Sequence, residues 1–170
     1  VSDDDTRTST PGSPGEAPLL LEDHFCFTLY AASRAVTSAY RPLLDELGLT
    51  YPQYLVMVVL WQHGTVSVKD LVAALQLDYG TLTPLIKRLE TNGLLKRQRR
   101  ADDERVVEVA LTAQGTALSR HIRAVPLAIG DAMGLTAAEF ATAQDLLRRL
   151  TANVLHHHTT DAQPTVVSRS

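Results

Sequence analysis

The chain has 170 residues, a formal net charge of −3 and a single cysteine, with 45% hydrophobic and 21% charged side chains. That length suits one domain with tails, the lone thiol excludes a disulfide framework, and aromatics at 5% leave a core built mainly from Leu, Val and Ala. The longest apolar run, Tyr54 to Trp61, has eight residues against the roughly 18 that a membrane-spanning helix needs. With no basic-then-apolar leader at the start, a cytoplasmic protein without a membrane partner is expected.

Residues 1–18 are rich in Ser, Thr, Pro, Gly and Asp and carry almost no large apolar side chain, so a disordered acidic tail is expected there. From Leu19 to about Leu47, apolar residues at three- and four-residue steps (Leu21, Phe25, Leu29, Ala32, Val36) predict one long amphipathic helix, stopped by Gly48. Thr50 followed by Tyr51-Pro52 opens a second, largely buried helix that ends by His63-Gly64. Ser67-Val68-Lys69-Asp70 has the spacing of a capping box and predicts a short helix to about Leu75.

The next helix carries Leu82, Leu85, Ile86 and Leu89 on one stripe and a polar, basic face opposite. Its start is open between two N-caps. Asp78 would leave Pro84 beyond the first turn at the cost of a backbone hydrogen bond, whereas Thr81 would place Pro84 inside that turn. Asn92-Gly93 ends it. The periodicity then falls to two: Leu95 to Arg100 and Val106 to Leu111 predict a basic β-hairpin across a turn at Ala101-Asp102-Asp103-Glu104. Helical spacing resumes from Thr112 to about Ile129, bent near Pro126. Thr136 caps a last helix through Phe140, Leu147, Leu150 and Val154. Residues 156–170 are expected to be a flexible tail, with His156 to His158 at a frayed helix end.

Located along the chain, the charge is uneven. Residues 1–25 hold one base, Arg7, against six acids, while residues 87–100 hold six bases against one acid, Glu90. A local patch, not net charge, decides phosphate affinity. Two short helices and a basic hairpin, in that order, make a winged helix-turn-helix over 50–111 with its wing at about 95–111. The fold class is therefore mainly α with a small β-hairpin. Such a unit lays its second helix in the major groove of double-stranded DNA and its wing on the backbone or minor groove. The expected DNA-binding residues are Asp78, Tyr79, Thr81, Thr83, Lys87 and Arg88 on the helix, and Arg97, Arg99, Asp103 and Arg105 on the wing. Two readings of Asp103 stand side by side: it holds the Arg105 guanidinium extended, or it stabilises the turn.

The segment Asp103-Glu104-Arg105, followed after five residues by Leu111-Thr112, resembles the wing signature of the MarR family of dimeric bacterial repressors. Four further segments resemble its organic hydroperoxide resistance branch: Phe25-Cys26-Phe27-Thr28-Leu29-Tyr30, Ala39-Tyr40-Arg41-Pro42-Leu43-Leu44, Leu49-Thr50-Tyr51-Pro52-Gln53-Tyr54, and Leu77-Asp78-Tyr79-Gly80-Thr81-Leu82-Thr83-Pro84. Tyr79 departs from that branch, whose members often carry a small Ser there. The resemblance covers about Leu20 to Leu155 and implies a homodimeric operator-binding repressor, with 19–49 and 112–155 as dimerisation helices. It also implies that Cys26 senses organic hydroperoxide with the help of Tyr30 and Tyr40.

Helix geometry bears on that assignment. Cys26 and Tyr30 are four apart and share a face, whereas Tyr40 would lie about 21 Å from Cys26 along one straight helix. If both tyrosines serve one thiol, as the resemblance implies, at least Tyr40 must come from another protomer. A thiolate attacks peroxide to give a sulfenic acid, and with no second cysteine the expected resolution is a mixed disulfide with a low-molecular-weight thiol. The alternatives are a MarR-type repressor relieved by a small phenolic or aromatic ligand, and a thiol peroxidase. No catalytic Ser/His/Asp arrangement or phosphate-binding glycine loop is present, and His24, His121 and His156 to His158 lack metal-ligand spacing. No enzyme activity, cofactor or metal is expected.

Overall fold

The computed structural model describes residues 20–122 and 125–161; the expected tail at 1–18 and residues 162–170 lie outside the described residues. The chain divides into two units, Val1–Ser38 and Ala39–Ser170.

In the first unit, a 3-10 turn at Leu21–Asp23 leads into α1, Phe25–Ala39, whose Leu, Phe and Tyr side chains include none that is buried. The long helix expected from Leu19 to Leu47 is interrupted. A separate short helix, α2, spans Arg41–Asp45 with Pro42 in its first turn. Proline has no N–H for the carbonyl four residues back, and its ring crowds that carbonyl, so a helix arriving at Tyr40 must restart. Gly48 acts as the expected stop: at φ +66° it lets the Leu49 N–H reach back 3.0 Å to the Leu44 carbonyl.

Helix α3, Tyr51–His63, begins at Thr50, whose N–H donates to the buried Gln53 Oε1 at 2.9 Å. It supplies the centre of the second unit's core, where Val56, Met57 and Leu60 meet Leu71, Leu82, Ile86, Leu89, Leu95 and Val109. Each such side chain contributes about 1.5–3 kcal/mol on burial. Strand β1, Val66–Ser67, runs into α4, Val68–Leu75, where the Ser67 hydroxyl accepts the Asp70 N–H at 3.1 Å as the capping box requires. The Ser67 hydroxyl in turn donates to Asp70 Oδ2 at 2.7 Å. Gln76 then turns the chain at φ +53°, a left-handed conformation that costs a residue other than glycine roughly 1 kcal/mol.

Helix α5 spans Tyr79–Thr91, and the hairpin consists of β2, Leu95–Arg99, and β3, Val107–Leu111. The antiparallel sheet has the order β1-β3-β2, with Leu95 opposite Leu111, Arg97 opposite Val109 and Arg99 opposite Val107. Sequence reasoning did not find β1, because two residues carry no alternation to detect.

The helical spacing from Thr112 to Ile129 resolves into α6, Ala113–Ile122, and α7, Val125–Met133, on either side of two residues outside the description. Thr136 caps α8 as expected, its N–H and hydroxyl both donating to Glu139 Oε2. Helix α8 runs from Ala137 to Asp161, through residues expected to begin a flexible tail at 156. No single helix among the described residues is long and apolar enough to cross a membrane.

Candidate nucleic-acid interface and thiol site

The open question of where α5 begins is resolved at Asp78. Its Oδ1 accepts the Thr81 N–H at 2.7 Å and its Oδ2 accepts the Thr81 hydroxyl at 2.9 Å. Pro84 accordingly sits inside the helix, where it offers no N–H to the Gly80 carbonyl. The bond from the Thr81 N–H, and then that from its hydroxyl, hold the Asp78 carboxyl below the usual aspartate range. Both Asp78 oxygens are thus used in capping, and what it supplies to the outer face is the position of Tyr79 to Thr83. With Leu82, Ile86 and Leu89 buried, Tyr79, Thr83, Lys87 and Arg88 face outward. The Thr83 hydroxyl donates to the Tyr79 carbonyl at 2.7 Å, which leaves it lone pairs for an incoming donor.

The wing's cations fall into two groups. Arg97 turns toward α5: its backbone N–H donates to Glu90 Oε1 at 3.0 Å, while Nε and Nη2 lie 2.8 and 2.6 Å from Glu90 Oε2. Arg99 Nη1 donates to the Glu104 carbonyl at 2.9 Å, and Arg100 Nε lies 3.0 Å from Asp102 Oδ1. Arg97 and Arg99, expected at the DNA surface, are thereby engaged within the protein.

Asp103 takes the second of its two readings. Its Oδ1 accepts the Arg105 backbone N–H at 3.1 Å, and its carbonyl accepts the Val106 N–H at 3.0 Å. The Arg105 guanidinium is in no ion pair among the described residues. It opens instead, with Lys69, Tyr79, Thr83, Arg97 and Arg100, onto a cleft of about 690 Å³ between α4, α5 and the wing.

Cys26 is exposed on α1. One turn on, the Tyr30 hydroxyl accepts Arg34 Nη1 at 3.0 Å, and the same guanidinium stands 5.6 Å from the ring centre. Tyr40 belongs to the second unit and packs on two phenols that sequence reasoning did not single out as site residues. Its ring centroid is 4.7 Å from that of Tyr51 and 5.6 Å from that of Tyr54, which are 6.2 Å apart. Burial, and for Tyr40 and Tyr54 also a neighbouring phenol's charge, raises all three above the usual tyrosine value, so each keeps its proton at neutral pH. The motif around Tyr51 and Tyr54 was visible in the sequence; the convergence of three rings depended on the chain's turn at Gly48. Helix α1 runs unbroken from Phe25 to Ala39, so the break at Tyr40 falls beyond the helical span that separates it in sequence from Cys26. Among the described residues no group of three or more His, Cys, Asp or Glu is placed to hold a metal ion.

A family model described as transcriptional regulator SarA/Rot matches residues 38–122. The organic hydroperoxide resistance transcriptional regulator of Bacillus subtilis is 47% identical over 116 residues, spanning 68% of this chain and 77% of that protein. The chain is a MarR-type winged-helix regulator of the organic hydroperoxide resistance branch. Among solved structures similar to this MarR-type regulator, reduced AbfR bound to DNA, a protein of Staphylococcus epidermidis, is 32% identical with a TM-score of 0.68, covering 80% of this chain and 93% of that one. BpsR of Bordetella bronchiseptica, in a structure concerned with regulation of its DNA binding by 6-hydroxynicotinic acid, is 28% identical with a TM-score of 0.67, covering 73% and 96%.

Proposed function

We propose that this MarR-type regulator is a cytoplasmic homodimeric repressor that holds double-stranded operator DNA through α5 and the wing and releases it when an organic hydroperoxide oxidises Cys26. One observation carries the reading: the chain's single thiol is exposed one turn from an arginine-bonded tyrosine, in a chain 47% identical to a hydroperoxide resistance regulator. The Cys26 thiolate attacks one peroxide oxygen, forming an S–O bond as the O–O bond breaks. Sulfur is oxidised by two electrons, and the leaving alkoxide takes a proton from a phenol or water to depart as an alcohol. The sulfenic acid then condenses with a low-molecular-weight thiol, forming an S–S bond and releasing water. Tyr30 and Tyr40, assigned to the thiol by the resemblance to the branch, donate hydrogen bonds to the charge on sulfur, Tyr40 from the second protomer. The flanking helices, 19–49 and 112–155, form the dimer, and a bulky polar adduct beside Phe25 and Phe27 shifts the reading helices apart.

Mass spectrometry after substoichiometric organic hydroperoxide, with DNA binding measured on the same sample, tests this. A mass increase confined to Cys26 that tracks loss of binding is expected, and Cys26→Ser should bind DNA but ignore peroxide. Normal release by that variant would defeat the proposal. The similarity to BpsR and the cleft beside α5 favour a second reading, relief by a small aromatic acid. Ligand-driven release with unchanged thiol mass would establish it. Repeated turnover with a thiol reductant and no salt-dependent DNA affinity would instead indicate a peroxidase.

A further inference from the structure

We propose that Glu90 is a positioning residue for DNA binding: with Arg97 it sets the angle between helix α5 and the wing. The inference rests on the reading that α5 and the wing grip one duplex. Two reading elements that contact neighbouring grooves bind strongly only when their separation is fixed beforehand, because any hinge between them must be frozen on binding. The wing is a thin ribbon, joined to α5 through Asn92-Gly93 with Gly93 at φ +72°, so it needs a brace.

Glu90 supplies one from the last turn of α5. Its Oε1 accepts the backbone N–H of Arg97 at 3.0 Å, and its Oε2 takes Nε at 2.8 Å and Nη2 at 2.6 Å. The first of these bonds matters most. Strand β2 lies at the edge of the sheet, and the Arg97 amide points away from β3 to the helix, so the carboxylate grips the strand itself. The guanidinium bonds then fix the carboxylate's orientation. Both side chains are only about one-third exposed. Ionisation is favoured by the same contacts, chiefly the side-chain bond from Arg97, which lower the Glu90 carboxyl below its ordinary value. Arg97, on this geometry, is a strut and not a phosphate ligand.

The proposal makes a prediction opposite in sign to simple electrostatics. Glu90 is the one acid between Lys87 and Arg100, so neutralising it should tighten DNA binding if charge alone matters. If it positions the wing, Glu90→Ala should weaken binding roughly ten- to hundredfold, the scale of a lost charge-assisted bond.

The test uses full-length protein and a duplex selected from a random pool by the wild-type regulator. Fluorescence anisotropy gives affinity, and hydroxyl-radical footprinting separates wing from major-groove contacts. Glu90→Ala is expected to lose the wing footprint while keeping that of α5, and Glu90→Gln, which retains one acceptor oxygen, to lie between it and the wild type. The double variant Glu90→Ala/Arg97→Ala should bind no more weakly than Glu90→Ala. Should Glu90→Ala fail to fold, Glu90→Gln and Arg97→Ala, checked by thermal melting, give the same comparison. Tighter or unchanged binding by the Glu90 variants, a uniform fading of the whole footprint, or a further loss in the double variant would overturn the inference. Failure of the wild type to select any duplex would instead overturn the DNA-binding reading beneath it.

Discussion

The carboxylate of Asp103 accepts the backbone N–H of Arg105 at 3.1 Å, and the Arg105 guanidinium has no ionic partner among the described residues. The acid therefore shapes the wing's tip and the base is left to act outward. Arg105→Ala should weaken DNA binding and make the plot of log affinity against log salt shallower by about one unit, as loss of one phosphate contact requires. Asp103→Asn keeps an acceptor for the Arg105 amide and should retain most of the affinity; Asp103→Ala should not. Anisotropy titrations at several salt concentrations check both.

The wing's base is locked to α6 at Gly115. Trp61 Nε1 donates to the Gly115 carbonyl at 2.9 Å, and the Gly115 N–H donates to the Thr112 hydroxyl, which itself donates to the Gly93 carbonyl. A β-carbon at position 115 would fall on the Leu94 carbonyl, which is backbone and cannot swing aside. Gly115→Ala is expected to destabilise the fold by about 2–3 kcal/mol, the usual scale of overpacking. Urea unfolding measures this, with the shift appearing in the midpoint and not in the slope.

What the sequence made legible here was set by periodicity and caps. Leu82, Ile86 and Leu89 showed the buried stripe of α5, Ser67 and Thr136 marked helix starts, and alternation from Val107 to Leu111 revealed the hairpin. The differences share a physical origin. The one helix expected from Leu19 to about Leu47 runs through Pro42, and apolar spacing does not register a missing N–H. The bonds of Arg97 to Glu90 and of Arg99 to the Glu104 carbonyl depend on partners that only the folded chain brings near, and a basic run read in one dimension does not show them. The convergence of Tyr40, Tyr51 and Tyr54 likewise exists only once α2 folds back beside α3.

Asp78 gives α5 a pH-sensitive cap. Its carboxyl is lowered first by the Thr81 N–H and then by the Thr81 hydroxyl, so the folded value lies below the unfolded one. A depressed acid contributes stability that is present above its unfolded value and is lost as pH falls through the folded value. The Thr81 amide resonance should therefore titrate with a midpoint below that of an ordinary aspartate, and the first turn of α5 should exchange its amide protons faster beneath it. Asp78→Asn, which still caps but does not ionise, should abolish the titration. A Thr81 resonance that moves at the ordinary aspartate value would show that the cap is not formed in solution.

Helix α8 carries a row of exposed apolar side chains. Phe140, Leu147 and Val154 recur every seven residues along it, with Ala143 and Leu150 between them, and Phe140, Leu147 and Val154 remain 39%, 45% and 48% exposed. A repeat of seven keeps one seam facing a partner helix, and an apolar seam of this length left in water is characteristic of an interface. The proposed dimer supplies a second copy to cover it. Leu147→Glu/Val154→Glu places two carboxylates in that seam without touching the core around Met57 and Leu82. Sedimentation equilibrium should then shift from dimer to monomer. DNA affinity should fall with it, because a monomer engages only one half-site. Circular dichroism should show helix content retained apart from α8. A variant that sediments as the wild-type dimer would remove α8 from the interface and leave the apolar seam to another role.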